Sequence, residues 1–182
     1  MCRSCDEGGR RCTDRRSLRA LDLADLQPTA TADAPDVDWG NIPTVEDLYE
    51  KHGNAITNAA LLELKRVAAI EPDITAAIIH AAPADCRMHG LEYRMKSPGS
   101  LASKIESRSA SDVHPREIVS RLTDFVRYTV VAPDATRVTS AARETLTTLA
   151  SNGWDVREIE HSFVDGNPYK GLHSIVIHHG AT

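Results

Sequence analysis

A basic turn near the middle of the chain has the residue types of a phosphate site. Residues 93–104 read Tyr-Arg-Met-Lys-Ser-Pro-Gly-Ser-Leu-Ala-Ser-Lys. We predict a short strand over 91–96, with the Arg and the first Lys on one face, followed by a helix over 98–108 that either serine of the turn could cap. Helix N-termini attract anions, so the turn is typical of a polyphosphate site, and a solvated basic strand end is the alternative. The cations around this turn are Arg94, Lys96 and Lys104, and the serines that could cap the helix are Ser97 and Ser100.

A carboxylate and an arginine precede the most β-branched segment of the chain. Asp124 and Arg127 belong to Thr-Asp-Phe-Val-Arg-Tyr-Thr-Val-Val, which has strong strand character. A carboxylate at the start of a strand near a basic turn is where Mg²⁺ that bridges phosphates would be held. An Asp–Arg ion pair or a helix C-terminal turn is the alternative interpretation.

A third cluster lies in the segment Asn-Pro-Tyr-Lys-Gly-Leu-His-Ser at 167–174. Tyr169 has the chemistry to stack on a base, Lys170 can lie near a phosphate, and His173 can bond an acceptor phosphate or hydroxyl. A hairpin with an exposed aromatic side chain is the alternative.

The periodicity of the remaining segments predicts helices first and strands later. Apolar residues recur at helical spacing between 45 and 81, with Gly53-Asn54 as a weak point and a further helix starting at Pro72. Beyond these, we predict helices over 114–121 and 138–152 and strands over 125–132, 154–163 and 172–179. This order predicts an α+β domain with helices packed on one side of a sheet.

Length and composition fit one modest domain preceded by a tail. The chain has 182 residues and a net charge of −5, which argues against wholesale coating of nucleic acid. Residues 1–38 are predicted to be a disordered Cys- and Arg-rich tail with a linker over 27–38. Order is expected to begin near Trp39, so that 39–182 form the domain.

The cysteines and the hydropathy give further expectations about ligands and location. Cys2, Cys5 and Cys12 have the spacing of a zinc knuckle without an obvious fourth ligand, and a loose tail with free thiols is favoured over a zinc site or an adaptor function. No apolar run approaches the length of a membrane span, and the N-terminus lacks the apolar region of a secretory signal. We therefore expect a cytoplasmic protein with no membrane partner.

Taken in this order, the three clusters resemble the synthetase domain of RelA/SpoT-type proteins. Residues 93–104 resemble the signature Arg-x-Lys-Ser-x-x-Ser-Ile/Leu-x-x-Lys. Asp124–Val131 resembles the metal-binding strand, in the Asp-x-x-Arg-Tyr-Thr version of divergent members. Tyr169–Ser174 resembles the acceptor loop Gly-Tyr-x-Ser/Gly-Leu-His-Ser/Thr. The likeness covers about residues 45–180.

The resemblance implies a nucleotidyltransferase-like fold, with a mixed five-stranded sheet flanked by helices and a helical N-terminal layer. It implies Mg²⁺-dependent transfer of pyrophosphate from ATP to the 3′-hydroxyl of GDP or GTP, giving (p)ppGpp. Toxin-type members that modify tRNA or adenine nucleotides, and a nucleotide-binding module without catalysis, are the alternatives. Carried onto matching positions, the implied roles are ATP-phosphate binding by Arg94, Lys96, Ser97, Ser100 and Lys104, catalysis by Asp124 as the Mg²⁺ ligand with Arg127, and acceptor binding by Tyr169, Lys170 and His173.

The chain departs from the family pattern at two places. Better-known members carry the metal-binding Asp five residues before the strand Arg, where this chain has Leu122. Asp124 lies on the same strand face as that position, so it can substitute through a shift of one pleat. The family also continues with a Glu-x-Gln strand, whose Glu completes metal binding, whereas this sequence stops at Thr182. We therefore expect a C-terminally incomplete domain or a remnant that binds nucleotide without turnover.

Overall fold

The secondary structure is a mixture of helices and strands. The computed structural model describes residue 18 and residues 21–109, 113–167 and 170–178. Its helices are α1 (Val45–Ala81), α2 (Pro98–Arg108), α3 (Pro115–Ser120) and α4 (Val138–Ser151), with 3₁₀-helices at Leu23–Leu26 and Leu91–Tyr93. Its strands are β1 (Arg87–His89), β2 (Thr129–Val131), β3 (Trp154–His161) and β4 (Leu172–His178). The predicted α+β class is confirmed.

The long helix α1 begins and bends where the sequence predicts. The Asp47 N–H donates to Thr44 Oγ1 at 3.1 Å and the Thr44 N–H donates to Asp47 Oδ2 at 2.8 Å, which is a capping box. Gly53 has φ 74° and ψ 169°, a conformation that glycine adopts readily and that bends the helix. The prediction that a new helix starts at Pro72 is wrong, because α1 runs through this residue to Ala81.

The observed strands differ from the predicted strands more than the helices do. β1 pairs antiparallel with β2, and β3 pairs antiparallel with β4, with an irregularity between Val156 and Glu158. Within the described ranges these are separate two-stranded sheets, where the resemblance implies a single mixed sheet. The predicted strand over 91–96 is wrong: its first half is a 3₁₀-helix that follows Gly90 in a left-handed conformation, and its second half contributes a single bridge between Met95 and Val126.

Helix α1 contributes to two groups of buried apolar side chains within the described residues. The larger core joins α1 to α2 and α3, and it is built on Leu48, Leu61, Leu64, Leu101 and Ile105. The smaller core joins the C-terminal end of α1 to α4 and to the strands, and it contains Ile78, Ala81 and Leu149 with Trp154 and Val176 against them. These cores fix the helices that carry the candidate site.

The segment before α1 packs on the domain, which differs from the linker predicted over residues 27–38. Leu26 and Val37 are buried in the larger core. The Asp38 N–H donates to the carbonyl oxygen of Glu92 at 2.7 Å, and the Trp39 indole donates to the carbonyl oxygen of Met95 at 3.0 Å. The buried side chains of Leu26 and Val37 therefore attach this segment to the larger core, although its Pro, Thr and Asp content is typical of a linker.

Cys2, Cys5 and Cys12, for which a loose tail is favoured over a zinc site, lie outside the described residues, as do residues 1–17, 19 and 20 of the predicted tail. Among the helices that the structure does describe, none combines the length and the apolar character needed to cross a membrane.

Candidate functional site

The carboxylate of Asp124 lies between two lysines. Asp124 Oδ2 is 3.1 Å from Lys96 Nζ and accepts a hydrogen bond from Lys104 Nζ. The side chains keep between 19% and 28% of their surface exposed, so solvent and a ligand can reach them. We call Lys96, Lys104 and Asp124 the lysine–aspartate cluster.

Backbone hydrogen bonds hold the two halves of this cluster together. The Lys96 N–H donates to the carbonyl oxygen of Phe125 at 2.9 Å, and the Arg127 N–H donates to the carbonyl oxygen of Arg94 at 2.7 Å. The bridge between Met95 and Val126 lies between these bonds. These backbone hydrogen bonds pair the segment before α2 with the segment before β2, and the pairing places Lys96 beside Asp124. The sequence predicted the first two clusters to be close, and this short ladder brings them into contact.

The electrostatics of the cluster keep Asp124 ionised. Burial raises the pKa of Asp124, but the hydrogen bonds from Lys104 and Lys96 lower it by more, so the pKa lies below its ordinary value. Asp124 Oδ1 is buried and has no hydrogen-bond partner within the described part of the chain. An ionised carboxylate therefore presents one oxygen to two ammonium groups and keeps the other unsatisfied.

The N-terminus of α2 supplies further donors next to the lysines. Ser97 caps the helix, because its Oγ accepts from the Ser100 N–H at 3.3 Å, and it also donates to Ser100 Oγ at 3.0 Å. Pro98 starts the helix, as expected for a residue without an N–H. Ser100 is exposed and precedes Lys104 by one helical turn, so the two side chains share a face of α2. The Ser100 hydroxyl group therefore lies on the same face of α2 as Lys104.

Arg94 does not belong to this accessible surface, which corrects its assignment as an ATP ligand. It is 2% exposed, and its Nε donates to Glu71 Oε1 at 2.7 Å. Its Nη1 donates to the carbonyl oxygens of Pro35 and Leu91 at 2.7 Å and 2.8 Å. A guanidinium that is buried and bonded in this way positions the backbone beside Lys96 and cannot reach a ligand.

The acidic partner of Arg94 was missed by the sequence analysis. Glu71 is completely buried, and it accepts hydrogen bonds from Thr75 Oγ1 and, at 3.0 Å, from the Tyr128 hydroxyl. Burial raises the pKa of Tyr128 above its usual range. The helical periodicity could have predicted this pair. One helix face carries Ala68, Glu71, Thr75 and Ile78, and a Glu on a face that is otherwise largely apolar requires a partner.

Arg127 follows Asp124 by three residues, and the described acceptor residues, Lys170 and His173, belong to the β3–β4 hairpin. Arg127 is exposed, and its guanidinium makes no ion pair or hydrogen bond in the described ranges. Lys170 Nζ donates to the carbonyl oxygen of Val164, within the loop that joins β3 to β4. His173 lies on β4 opposite Glu160, and Tyr169 lies outside the described residues. The structure thus places Lys170 and His173 on the β3–β4 hairpin, whereas the cluster belongs to α2 and its neighbours.

The donor set of the cluster fits a divalent cation that arrives with a phosphate ligand. Across the described residues, no group of three or more His, Cys, Asp and Glu side chains could hold a metal ion by itself. Mg²⁺, however, is commonly held by one or two carboxylates together with substrate phosphates and water. The unsatisfied Asp124 Oδ1 is a suitable single ligand of this kind.

Comparison with family models, with curated proteins and with solved structures found no match to this chain.

Proposed function

We propose that the lysine–aspartate cluster binds the polyphosphate of ATP, and that the chain transfers pyrophosphate to the 3′-hydroxyl of GDP or GTP. The observation that supports this most directly is the state of Asp124. One of its oxygens lies against two lysines, and the other is buried with no partner among the described residues. A buried, unsatisfied carboxylate oxygen is costly, so a cation bound there would be stabilising.

The residues of the cluster have complementary parts in binding a polyphosphate. Lys96 and Lys104 provide positive charge, and the phosphate oxygens replace Asp124 Oδ2 as partners of the ammonium groups. The Ser100 hydroxyl and the first N–H groups of α2 provide hydrogen bonds to the same oxygens. Mg²⁺, when bound, neutralises phosphate charge, and Asp124 would be its protein ligand.

Transfer of a phosphoryl-type group depends mainly on positioning and on spread positive charge, which is what these residues offer. The proposal extends, through the resemblance to RelA/SpoT-type synthetases and their nucleotidyltransferase-like fold, to Arg127 as a further phosphate ligand. It also includes Tyr169, Lys170 and His173 as acceptor contacts, with the base stacked on the tyrosine.

A second candidate is a nucleotide-binding module without transfer. It is favoured by the state of Lys170, one of the acceptor contacts, whose ammonium group donates to the carbonyl oxygen of Val164 within the loop between β3 and β4. The two candidates share the ATP site and differ in turnover. An acceptor other than a guanosine nucleotide, such as tRNA or an adenine nucleotide, belongs with the first candidate.

Calorimetric titration with ATP and Mg²⁺ tests the shared part of both candidates. Lys96→Ala and Lys104→Ala should each weaken ATP binding about tenfold or more, because each removes a charged hydrogen bond to phosphate. The matched control is Lys51→Ala, an exposed lysine on α1, which should leave the affinity unchanged. Equal affinity of the two cluster variants and the wild-type chain would refute the ATP site.

Turnover is tested with ATP labelled in its β and γ phosphates. Transfer of label to GDP or GTP, lost in Asp124→Asn, supports the pyrophosphotransferase. Binding of ATP without transfer to GDP, GTP, tRNA or adenine nucleotides supports the non-catalytic module and contradicts the enzyme.

A further inference from the structure

The outer half of the β3–β4 hairpin is exposed on both of its faces. At the other end of the hairpin, Trp154 and Val176 pack against Leu149 of α4 in the smaller core. Residues 157–161 of β3, by contrast, are all exposed, although successive side chains of a strand point to opposite faces. A two-stranded ribbon without further support is marginally stable in water. A further strand that covers the outer half of this hairpin would therefore stabilise it.

The edge of β3 that faces away from β4 is open to such a strand. Among the described residues β3 pairs with β4 alone, and no other backbone hydrogen bond reaches residues 154–161. Proteins commonly protect an exposed edge with lysine, proline, a bulge or a very short strand. β3 has 8 residues with neither lysine nor proline, and its irregularity between Val156 and Glu158 leaves regular pairing from Glu158 onward. An edge of this kind can accept an extended segment of a partner.

The register of the hairpin separates the side chains of β3 by their chemistry. Val156 and Ile159 lie opposite β4 residues that are two apart, so they share the face that packs on α4. Glu158 and Glu160 also lie opposite β4 residues that are two apart, and they share the other face. Ile159 is 58% exposed although its face is the packed one. A strand added at this edge would meet apolar side chains on one face and carboxylates on the other.

Apolar exposure continues beyond the end of β3. The large apolar side chains that the described residues expose include Ile159, Phe163 and Val164, which all belong to this hairpin. Clustered exposed apolar side chains with a polar surround are typical of interaction sites. Asp165, which follows them, is exposed and adds a further negative charge. The surface is therefore both apolar and acidic.

Charge excludes a second copy of this chain as the favoured occupant. In two antiparallel strands related by a two-fold axis, the central residue lies opposite its own copy. Registers centred on Arg157, Glu158 or Glu160 thus place like charges opposite each other. A register centred on Ile159 places Glu158 opposite Glu160. Like charges directly opposite each other destabilise a strand pair, so a basic strand is favoured.

The two glutamates have charge to offer to such a strand. The carboxylates of Glu158 and Glu160 are exposed and make no hydrogen bond or ion pair within the described ranges. Because neighbouring strands in a sheet keep the same alternation, a partner that places basic side chains beside these glutamates places the residues between them beside Ile159. The fitting sequence therefore alternates basic and apolar residues.

We propose that the free edge of β3 binds an extended segment of a partner protein in which basic and apolar residues alternate. The segment adds a strand to the hairpin, with its basic side chains beside Glu158 and Glu160 and its apolar side chains beside Ile159. This interaction surface is independent of the proposed transfer of pyrophosphate.

The test measures binding of a short fluorescein-labelled peptide of alternating lysine and valine to the full chain, by fluorescence anisotropy without ATP or metal. A peptide of alternating glutamate and valine should bind at least about tenfold more weakly, because its charges repel the glutamates. The lysine–valine peptide with every amide N-methylated should also bind at least about tenfold more weakly, since it lacks the backbone donors that pair with β3.

Variants of β3 locate the site. Glu158→Lys/Glu160→Lys should weaken binding of the lysine–valine peptide about tenfold or more and strengthen binding of the glutamate–valine peptide. Ile159→Lys should weaken binding of both peptides, because a charge on the packed face of an edge strand opposes pairing. The matched control is Glu50→Lys, at an exposed glutamate of α1, which should leave the affinities unchanged. All of these positions are exposed, so the variants should melt as the wild-type chain does.

Several results would overturn this docking site. Equal affinity for the free and the N-methylated peptide would leave charge attraction without strand addition. Absence of binding at millimolar peptide, or unchanged affinity in Glu158→Lys/Glu160→Lys, would remove the site from β3. A wild-type dimer that dissociates in Ile159→Lys would assign the edge to a second copy. Tighter peptide binding by Arg10→Glu/Arg11→Glu would assign it to the Arg-rich N-terminal segment of this chain, in place of a partner protein.

Discussion

Replacement of Arg94 by methionine separates a structural role of this residue from a role in ATP binding. The guanidinium is 2% exposed and Glu71 is completely buried, so Arg94→Met keeps an apolar side chain of similar length but leaves the carboxylate of Glu71 without its charged partner. The carbonyl oxygens of Pro35 and Leu91 lose their donor as well.

The expected magnitude follows from the burial of the pair. Removal of one partner of a buried ion pair typically costs about 3–5 kcal/mol. For a domain of this size, each kcal/mol lowers Tm by roughly 2–4 °C, so the variant should melt on the order of 10 °C below the wild-type chain. The double variant Glu71→Met/Arg94→Met removes the uncompensated charge, so its cost should be smaller than the sum of the two single costs.

Thermal and urea unfolding, followed by circular dichroism and tryptophan fluorescence, measure these differences. Trp39 is a local reporter, because its indole donates to the carbonyl oxygen of Met95, next to Arg94. The matched control is Arg143→Met on the exposed side of α4, which should change the free energy of unfolding by less than about 0.5 kcal/mol.

The melting temperature and the ATP affinity of Arg94→Met together distinguish the structural role of Arg94 from a role as a ligand. If Arg94→Met melts within about 2 °C of the wild-type chain, a shift far smaller than a broken buried pair produces, and at the same time loses ATP affinity at low temperature, the side chain is a ligand, as the resemblance implies. Loss of stability with ATP affinity retained in the folded protein supports the buried pair.

Three further perturbations test other parts of the structure. The folded-state pKa of Asp124 lies below its ordinary value, so its ion pairs stabilise the protein above about pH 4, and this contribution is lost as pH falls through the folded pKa. The difference in Tm between wild type and Asp124→Asn should therefore shrink between about pH 6 and pH 3. A constant difference would contradict the ion pairs. Tyr128→Phe should cost about 1–3 kcal/mol in urea unfolding, because the Glu71 carboxylate loses a donor. Because the pKa of Tyr128 is raised, its contribution is present below the ordinary tyrosine pKa of about 10 and declines as pH rises above it, so the phenylalanine variant should lose less stability at alkaline pH than wild type does; identical alkaline profiles would exclude this. Gly53→Ala should lower the free energy of unfolding by about 1–3 kcal/mol, since φ 74° with ψ 169° is a conformation that essentially only glycine adopts, and an unchanged Tm would exclude the bend at that residue.

Local signals in the sequence predicted the helical part of the fold well. The start of α2 follows from Ser97 as a cap and Pro98 as the first residue, and the bend in α1 follows from Gly53. These features depend on residues within one helical turn of each other, so the sequence carries them directly. The same local reasoning failed at 91–96, because the left-handed conformation of Gly90 directs the chain into a 3₁₀-helix.

The candidate site was predicted in part. The pairing of the basic turn with Asp124 follows from motifs that the sequence shows. The role of Arg94 does not, because it is decided by Glu71, which lies 23 residues earlier and meets it only after α1 and the 91–96 segment pack. Residue type gives the charge of a side chain, but tertiary packing decides whether that charge faces a ligand or a buried partner.

The course of α1 through both cores bears on how the molecule unfolds. Its middle part, at Val67 and Ala68, belongs to the larger core, and Ile74 and Ile78 belong to the smaller one, with Glu71 between them. Loss of either core would expose one stretch of the same helix and release the Glu71–Arg94 pair, so neither core can open without weakening the other. We therefore expect a ligand that stabilises the segment around Lys96 to slow the opening of the strands as well, because both regions pack on α1.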